Sequence, residues 1–429
     1  MLQVEDLRIE EEVLPLLNYT YNAEARAALW ELICDLPPTV ALIAEKQAVF
    51  HGFWANWGVL ADFSYQKTHL YEVQSFLKEV VSGQLSLETN RLKATAQLLF
   101  SETTHHQRRG RCIQVIQFWH RLQQHYFYRL DPQAFPLSFR AQLRMLGQFL
   151  ERFGLSACAQ AVQEDTFSVA QLVQFTRQLQ AITPDELKVF WAAFYRFEAY
   201  WSAAKGLRAH GWVFPQFGEA GLHLEAFYHP ALTQPVLNTL VLGAEENVVV
   251  LTGPNMSGKS TLLKAVGLCV YLAHAGLGVP AARCTLPFFH SILIAINLRD
   301  SLKDGYSHFM AELQHLKHVL HTAADASRVF AIFDELFRGT NVDDALDLTR
   351  TTISGLARFP PSYFLVSTHL LHLQEQLPAV SAICSYYIEC VLQKGAPVFS
   401  YRLQRGWSHL KIGKLLFEQA GLPVLSKAS

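Results

Sequence analysis

A chain of 429 residues is longer than a single hydrophobic core usually serves, so two domains or more are expected. Half of it is apolar, 17% is charged and the formal net charge is -1; this is the balance of a soluble globular protein with no overall attraction for polyanions, so any nucleic-acid surface must be local. Seven cysteines without a C-x-x-C pair argue against a zinc site and for reduced, buried thiols in a cytoplasmic protein.

The chain opens on MLQVEDLRIEEEV, acidic where a signal peptide would be basic, and its longest apolar stretch, 265–282, carries His274 and glycines. Neither export nor a membrane span is expected. From Val13 to about Gly211 apolar residues recur at three- and four-residue spacing, as in AEARAALWELICDL and KVFWAAFYRFEAYWSAAKGL, with breaks at Pro37-Pro38 and Thr183-Pro184. This predicts an all-α domain over residues 1–215. Thr183-Pro184-Asp185-Glu186 reads as an N-cap, a proline at the first helical position and two acids in the first turn of a long helix reaching about Ala209. Its Phe190, Trp191, Phe194, Phe197 and Trp201 are spaced as a core stripe. A basic cluster, Arg108, Arg109 and Arg111 followed by Arg121, His125 and Arg129, is interleaved with Trp119, Tyr126 and Tyr128. It is the best candidate for meeting phosphates and stacking bases, against the simpler reading of a solvated face.

Residues 216–429 read as an α/β domain. The run Val248-Val249-Val250-Leu251 is a buried parallel strand that leads into Gly253-Pro254-Asn255-Met256-Ser257-Gly258-Lys259-Ser260 and Thr261, the G-x-x-x-x-G-K-[ST] phosphate loop with its helix running to Ala275. Its glycines let backbone N–H groups surround phosphate oxygens at the helix N-terminus, Lys259 would reach the β- and γ-phosphates, and Ser260 would give its hydroxyl to Mg²⁺. Arg328 to Phe333 is a strand ending in Asp334-Glu335, two carboxylates at the C-terminal edge of a parallel sheet: Asp334 to hold Mg²⁺ through water, Glu335 to deprotonate the water that attacks ATP. A further strand, Tyr363 to Val366, precedes Ser367-Thr368-His369, where His369 could contact the γ-phosphate or that water.

TGPNMSGKST (252–261), GYSHFMAEL (305–313), FDELFRGTN (333–341) and STHLLHL (367–373) closely resemble, in order and spacing, the ATPase domain of the MutS DNA mismatch-repair family, within the ABC-type ATPases. Tyr228-His229-Pro230 upstream and Tyr401-Arg402-Leu403 and Ala420-Gly421-Leu422-Pro423 downstream extend the likeness, and 16–53 is similar to the opening of that family's helical core. The resemblance implies Mg-ATP hydrolysis in a composite site. There the Gly305-Tyr306-Ser307 loop of one subunit would meet the nucleotide of the other, with Ser307 toward the γ-phosphate. Two such sites make a homodimer, and DNA is the partner that the resemblance implies.

Several departures shape the expectation. The core-like pattern begins near residue 14, leaving no room for the family's mismatch-reading and connector domains, and the helical half is short enough to predict a reduced or missing DNA clamp. Ser307-His308-Phe309-Met310 stands where relatives carry Ser-Thr-Phe-Met, and Asp344-Ala345 where they carry Asp-Gly. The chain stops six residues after Pro423, short of the family's helix-turn-helix, so dimerisation is expected to depend on bound ATP. The expected protein is a DNA-coupled ATPase switch, with a nucleotide-gated protein-interaction ATPase that has left DNA as the alternative. A structural module with weak turnover is disfavoured by the intact Lys259, Asp334 and Glu335.

Overall fold

Thr183 starts the longest helix as its sequence predicts: its hydroxyl accepts the Glu186 N–H at 3.2 Å, the Glu186 carboxylate accepts the Thr183 N–H at 2.9 Å, and Pro184 occupies the first helical position. The computed structural model describes residues 2–85, 102–219, 221–254, 256–296, 308–325, 328–337, 339–393 and 396–408. In chain order the helices used below are α1 (Ala23–Cys34), α2 (Val40–Ala55), α3 (Lys67–Val81), α4 (Glu102–Arg121), α5 (Leu137–Glu151), α6 (Leu155–Gln163), α7 (Val169–Gln180), α8 (Pro184–Ala209), α9 (Lys259–His274), α10 (His308–Ala324) and α11 (Val342–Leu356). The strands are β1 (Leu2–Gln3), β2 (Gln216–Phe217), β3 (Leu222–Phe227), β4 (Asn238–Leu242), β5 (Val248–Thr252), β6 (Arg283–Leu286), β7 (Ser291–Ala295), β8 (Val329–Asp334), β9 (Tyr363–Thr368), β10 (Ile383–Gln393) and β11 (Ala396–Arg405).

Two compact units result, one of Leu17–Cys34 and Glu45–Ala209, the other of Met1–Leu16, Asp35–Ala44 and His210–Ser429. In the helical unit α8 is the spine. Phe190, Phe194, Phe197 and Trp201 are fully buried and Trp191 nearly so, which makes the aromatic stripe a core: Phe190 stacks on Phe149 of α5 at 4.3 Å and Trp201 meets Phe63 at 4.9 Å. A carboxylate is enclosed in this core. The buried Glu198 carboxylate accepts the Tyr21 N–H (2.6 Å), the Tyr65 hydroxyl (2.5 Å) and the Asn22 amide (3.1 Å), tying the chain before α1 to α8.

In the α/β unit a seven-stranded sheet runs β1-β7-β8-β9-β5-β10-β11, parallel except for β11, and a smaller sheet runs β2-β6-β3-β4. All five residues of β5 are buried, because α10 and α11 cover one face through Val319 and Ile353 while α9 covers the other. Gly267 permits that approach, since a Cβ there would lie 2.8 Å from Ile294 Cδ1. The units differ from a division at residue 215 in two respects: Asp35–Ala44 groups with the sheet's unit, and so does the N-terminus. Leu2 and Gln3 pair with Ile292 and Leu293 of β7, and the Asp6 carboxylate accepts the Ile296 N–H at 2.8 Å, so residues 1–16 fold with the sheet.

Candidate functional site

β5 ends at Thr252 and α9 begins at Lys259; the loop between them turns on two glycines. Gly253 has φ +151°, and a Cβ there would sit 2.9 Å from the Ser257 hydroxyl. Gly258 is the left-handed N-cap of α9 at φ +93°, with no side chain capping the helix, so the positive end of a sixteen-residue helix faces the loop. Met256 is left-handed as well and 78% exposed, and the buried Ser257 hydroxyl has no hydrogen-bond partner among the described residues. Asn255 lies outside the described residues.

Lys259 is buried and folds back over its own loop. Its Nζ donates to the carbonyls of Gly253 (2.9 Å) and Pro254 (3.3 Å) and pairs with Glu335 Oε1 at 3.2 Å. Glu335 arrives there because β8 and β9 are in register, Asp334 opposite Ser367, which sets the ends of β8, β9 and β5 side by side. The Ser367 hydroxyl donates to one Asp334 oxygen and the Ser260 hydroxyl donates to the other. The chain then turns sharply. Glu335 is left-handed at φ +57°, held by its N–H donating to the carbonyl (3.2 Å) and hydroxyl (3.0 Å) of Ser367, and its second carboxylate oxygen faces His369 Nδ1 at 3.5 Å. Thus Lys259, Ser260, Asp334, Glu335 and His369 lie together at this edge of the sheet. Ser307 lies outside the described residues.

Two supports escaped the sequence reading. Phe337 is also left-handed, at φ +64°, and its N–H donates to the buried Glu312 carboxylate of α10 at 2.7 Å, so Glu312 fixes the turn that carries Glu335. The only trace in the sequence is an acid inside the otherwise apolar FMAEL. Beside the loop, a cleft of about 310 Å³ is lined by Tyr228, His229, Val236, Leu262, Ile388 and Tyr401, among others. Burial lowers the His229 pKa, against the pull of Glu12; Ala231 donates to its Nδ1, so the neutral ring presents Nε2–H to Glu12 at 3.3 Å. His315, behind β8 and edge-on to Phe333, is likewise kept neutral, its pKa pushed down to about 4 by burial.

Chemically, Ser260 and Asp334 offer a hydroxyl and a carboxylate, hard oxygen donors suited to Mg²⁺ when phosphate oxygens and water complete the shell. No group of three or more potential ligating His, Cys, Asp or Glu occurs among the described residues. The basic cluster of the helical unit is partly committed elsewhere. Arg111 makes a two-pronged bond to Glu79 (2.8 Å each) while lying over Phe76, and Arg109 donates to the Phe167 carbonyl at 3.0 Å. Trp119 and Tyr126 are buried, leaving Tyr128 as the exposed aromatic of the three. No described helix is long and apolar enough to cross a membrane.

Residues 249–429 match the family model described as MutS domain V, the ATP-binding domain of an ATPase family that acts in mismatch repair.

Proposed function

We propose, from the premise that the chain belongs to the MutS family through its domain V, that it is a cytoplasmic Mg-dependent ATPase working as an ATP-promoted homodimer, with hydrolysis coupled to DNA. The observation that carries the reading is the meeting of Lys259, Ser260, Asp334, Glu335 and His369 at the C-terminal edge of β5, β8 and β9. The fold is then an all-α domain followed in sequence by a P-loop ATPase domain of the ABC type, divided near residue 215 apart from residues 1–16 and 35–44.

In this mechanism the N–H groups of the Gly253–Gly258 loop and of the first turn of α9 receive phosphate oxygens. Lys259 exchanges two backbone carbonyls for phosphates, a substitution of weaker acceptors by charged ones that the buried ammonium favours. Ser260 and Asp334 hold Mg²⁺, which when bound neutralises charge on the phosphate chain. Glu335, released from Lys259, accepts the proton of the attacking water, and His369 stands beside it to orient that water or the γ-phosphate. The base has room in the apolar cleft next to Gly258. Ser307 of a second copy, by the family's pattern, completes the site at the γ-phosphate.

The pairing of Arg111 with Glu79 favours a second reading in which the helical unit engages another protein in place of DNA. Phosphate release tests the ATPase reading. Turnover should require Mg²⁺ and fall at least tenfold in Lys259→Ala, with weaker ATP binding, because the variant loses the phosphate-facing cation. Equal rates in the two proteins would overturn it.

A further inference from the structure

The β10–β11 hairpin breaks register where it passes the loop. Ile388 pairs with Leu403 and Cys390 with Phe399, so Glu389 alone faces three residues, Ser400, Tyr401 and Arg402. Such a bulge redirects a side chain. Tyr401 at its apex is left-handed at φ +57°, a conformation that a tyrosine holds only when neighbours impose it. The ring thereby leaves the hairpin, forms a wall of the cleft and closes on Gly258, where a Cβ would stand 3.2 Å from Tyr401 Cδ1.

Two sets of bonds impose the bulge. The Ser400 hydroxyl donates to Glu389, at its carboxylate (2.9 Å) and its carbonyl (3.1 Å), which closes the bulge from within the hairpin. From outside, Asn238 at the start of β4 spans it: its amide donates to the Tyr401 carbonyl at 3.1 Å and its Oδ1 accepts the Leu403 N–H at 2.7 Å. The same amide donates to the Val236 carbonyl at 3.2 Å, and Asn238 is the β-partner of Phe227. Val236 and Phe227 line the cleft too. One side chain therefore ties together the walls supplied by the small sheet and by the hairpin.

We infer that Asn238 is a positioning residue for nucleoside recognition: it holds Tyr401 over the cleft so that the ring stacks on the base of the nucleotide whose phosphates occupy the Gly253–Gly258 loop. This rests on the nucleotide reading above. The cleft is mostly apolar, so the base is gripped by stacking and burial, and a triphosphate without a base gains nothing from it.

Calorimetric titration of the full chain with Mg-ATP and with inorganic tripolyphosphate separates the two contributions. Asn238→Ala and Tyr401→Ala should each weaken ATP binding about tenfold, the scale of one base–aromatic stack, while tripolyphosphate binding stays within about twofold of the parent. The double variant should bind ATP no more weakly than Tyr401→Ala, because both changes remove one interaction. Parent-like ATP binding by Asn238→Ala, equal weakening of both probes, or multiplied effects in the double variant would overturn the inference. If Asn238→Ala fails to fold, Asn238→Asp retains the acceptor for Leu403 and loses the donor to Tyr401, and it should show the same selective loss; ATP binding like the parent's would again overturn the inference. A parent that binds neither probe would instead sink the nucleotide reading, and this inference with it.

Discussion

Glu198→Gln perturbs the one carboxylate enclosed in the helical core among the described residues, and its effect on stability should reverse the usual dependence on pH. Burial pushes the Glu198 carboxyl up to about 7 from its ordinary 4.5, with the hydrogen bonds from Tyr21, Tyr65 and Asn22 opposing that rise. A raised carboxyl leaves the folded chain holding more protons than the unfolded one between those two values. Stability therefore falls as pH rises through that window and levels off above about 7. At about 1.4 kcal/mol per pKa unit, the loss from pH 5 to pH 8 is roughly 2 to 3 kcal/mol, or roughly 5 to 10 °C in the melting of a unit this size. Glutamine cannot ionise, so the variant should lose this component. It also leaves the Asn22 amide facing another amide, which costs about 1 to 2 kcal/mol at pH 5. Melting followed by circular dichroism and by fluorescence of the buried Trp119, Trp191 and Trp201 should show the parent more stable at pH 5 and the variant level with it or more stable by pH 8. Parallel pH profiles would refute the assignment of a raised carboxyl.

Three further outcomes are expected. Sedimentation velocity should find a chain that is largely monomeric without nucleotide and dimeric when Mg-ATP binds Glu335→Gln, because a ligand held by both copies favours the dimer by mass action; a nucleotide-independent dimer unaffected by Ser307→Arg would contradict the composite site. In a salt titration of DNA binding, the Arg108, Arg109, Arg111 triple alanine variant should lower the slope by about one, since Glu79 and the Phe167 carbonyl already engage two of the three; an unchanged slope would make the cluster a solvated face. Gly258→Ala should weaken ATP binding about tenfold or more by straining a left-handed N-cap against Tyr401, and unchanged affinity would argue against a tight loop there.

What was legible in the sequence is local. A β-branched run before a glycine loop, a Thr-Pro cap and an apolar run ending in Asp334-Glu335 each declare themselves within a dozen residues or so, and the structure places them as read. The pairings that complete the site are not local. Leu2 and Gln3 form too short a strand to show alternation, and their partner is some 290 residues away, so residues 1–16 read as part of the all-α domain. Glu312 and Glu198 look like surface charges on amphipathic helices until their buried donors are seen, and Glu79 shows nothing in sequence of its claim on Arg111. The left-handed Tyr401 was hidden because a bulge depends on register between two strands, which no single strand's composition reveals.

The central claim is that Glu335 acts on water in a site assembled around Lys259, and single-turnover hydrolysis by Glu335→Gln tests it most directly. Glu335 pairs with Lys259 and faces His369, and glutamine should leave Mg-ATP binding intact while removing the base. The rate of phosphate formation on the enzyme should fall by roughly two to four orders of magnitude. A rate close to the parent's, with ATP bound as tightly, would contradict the account.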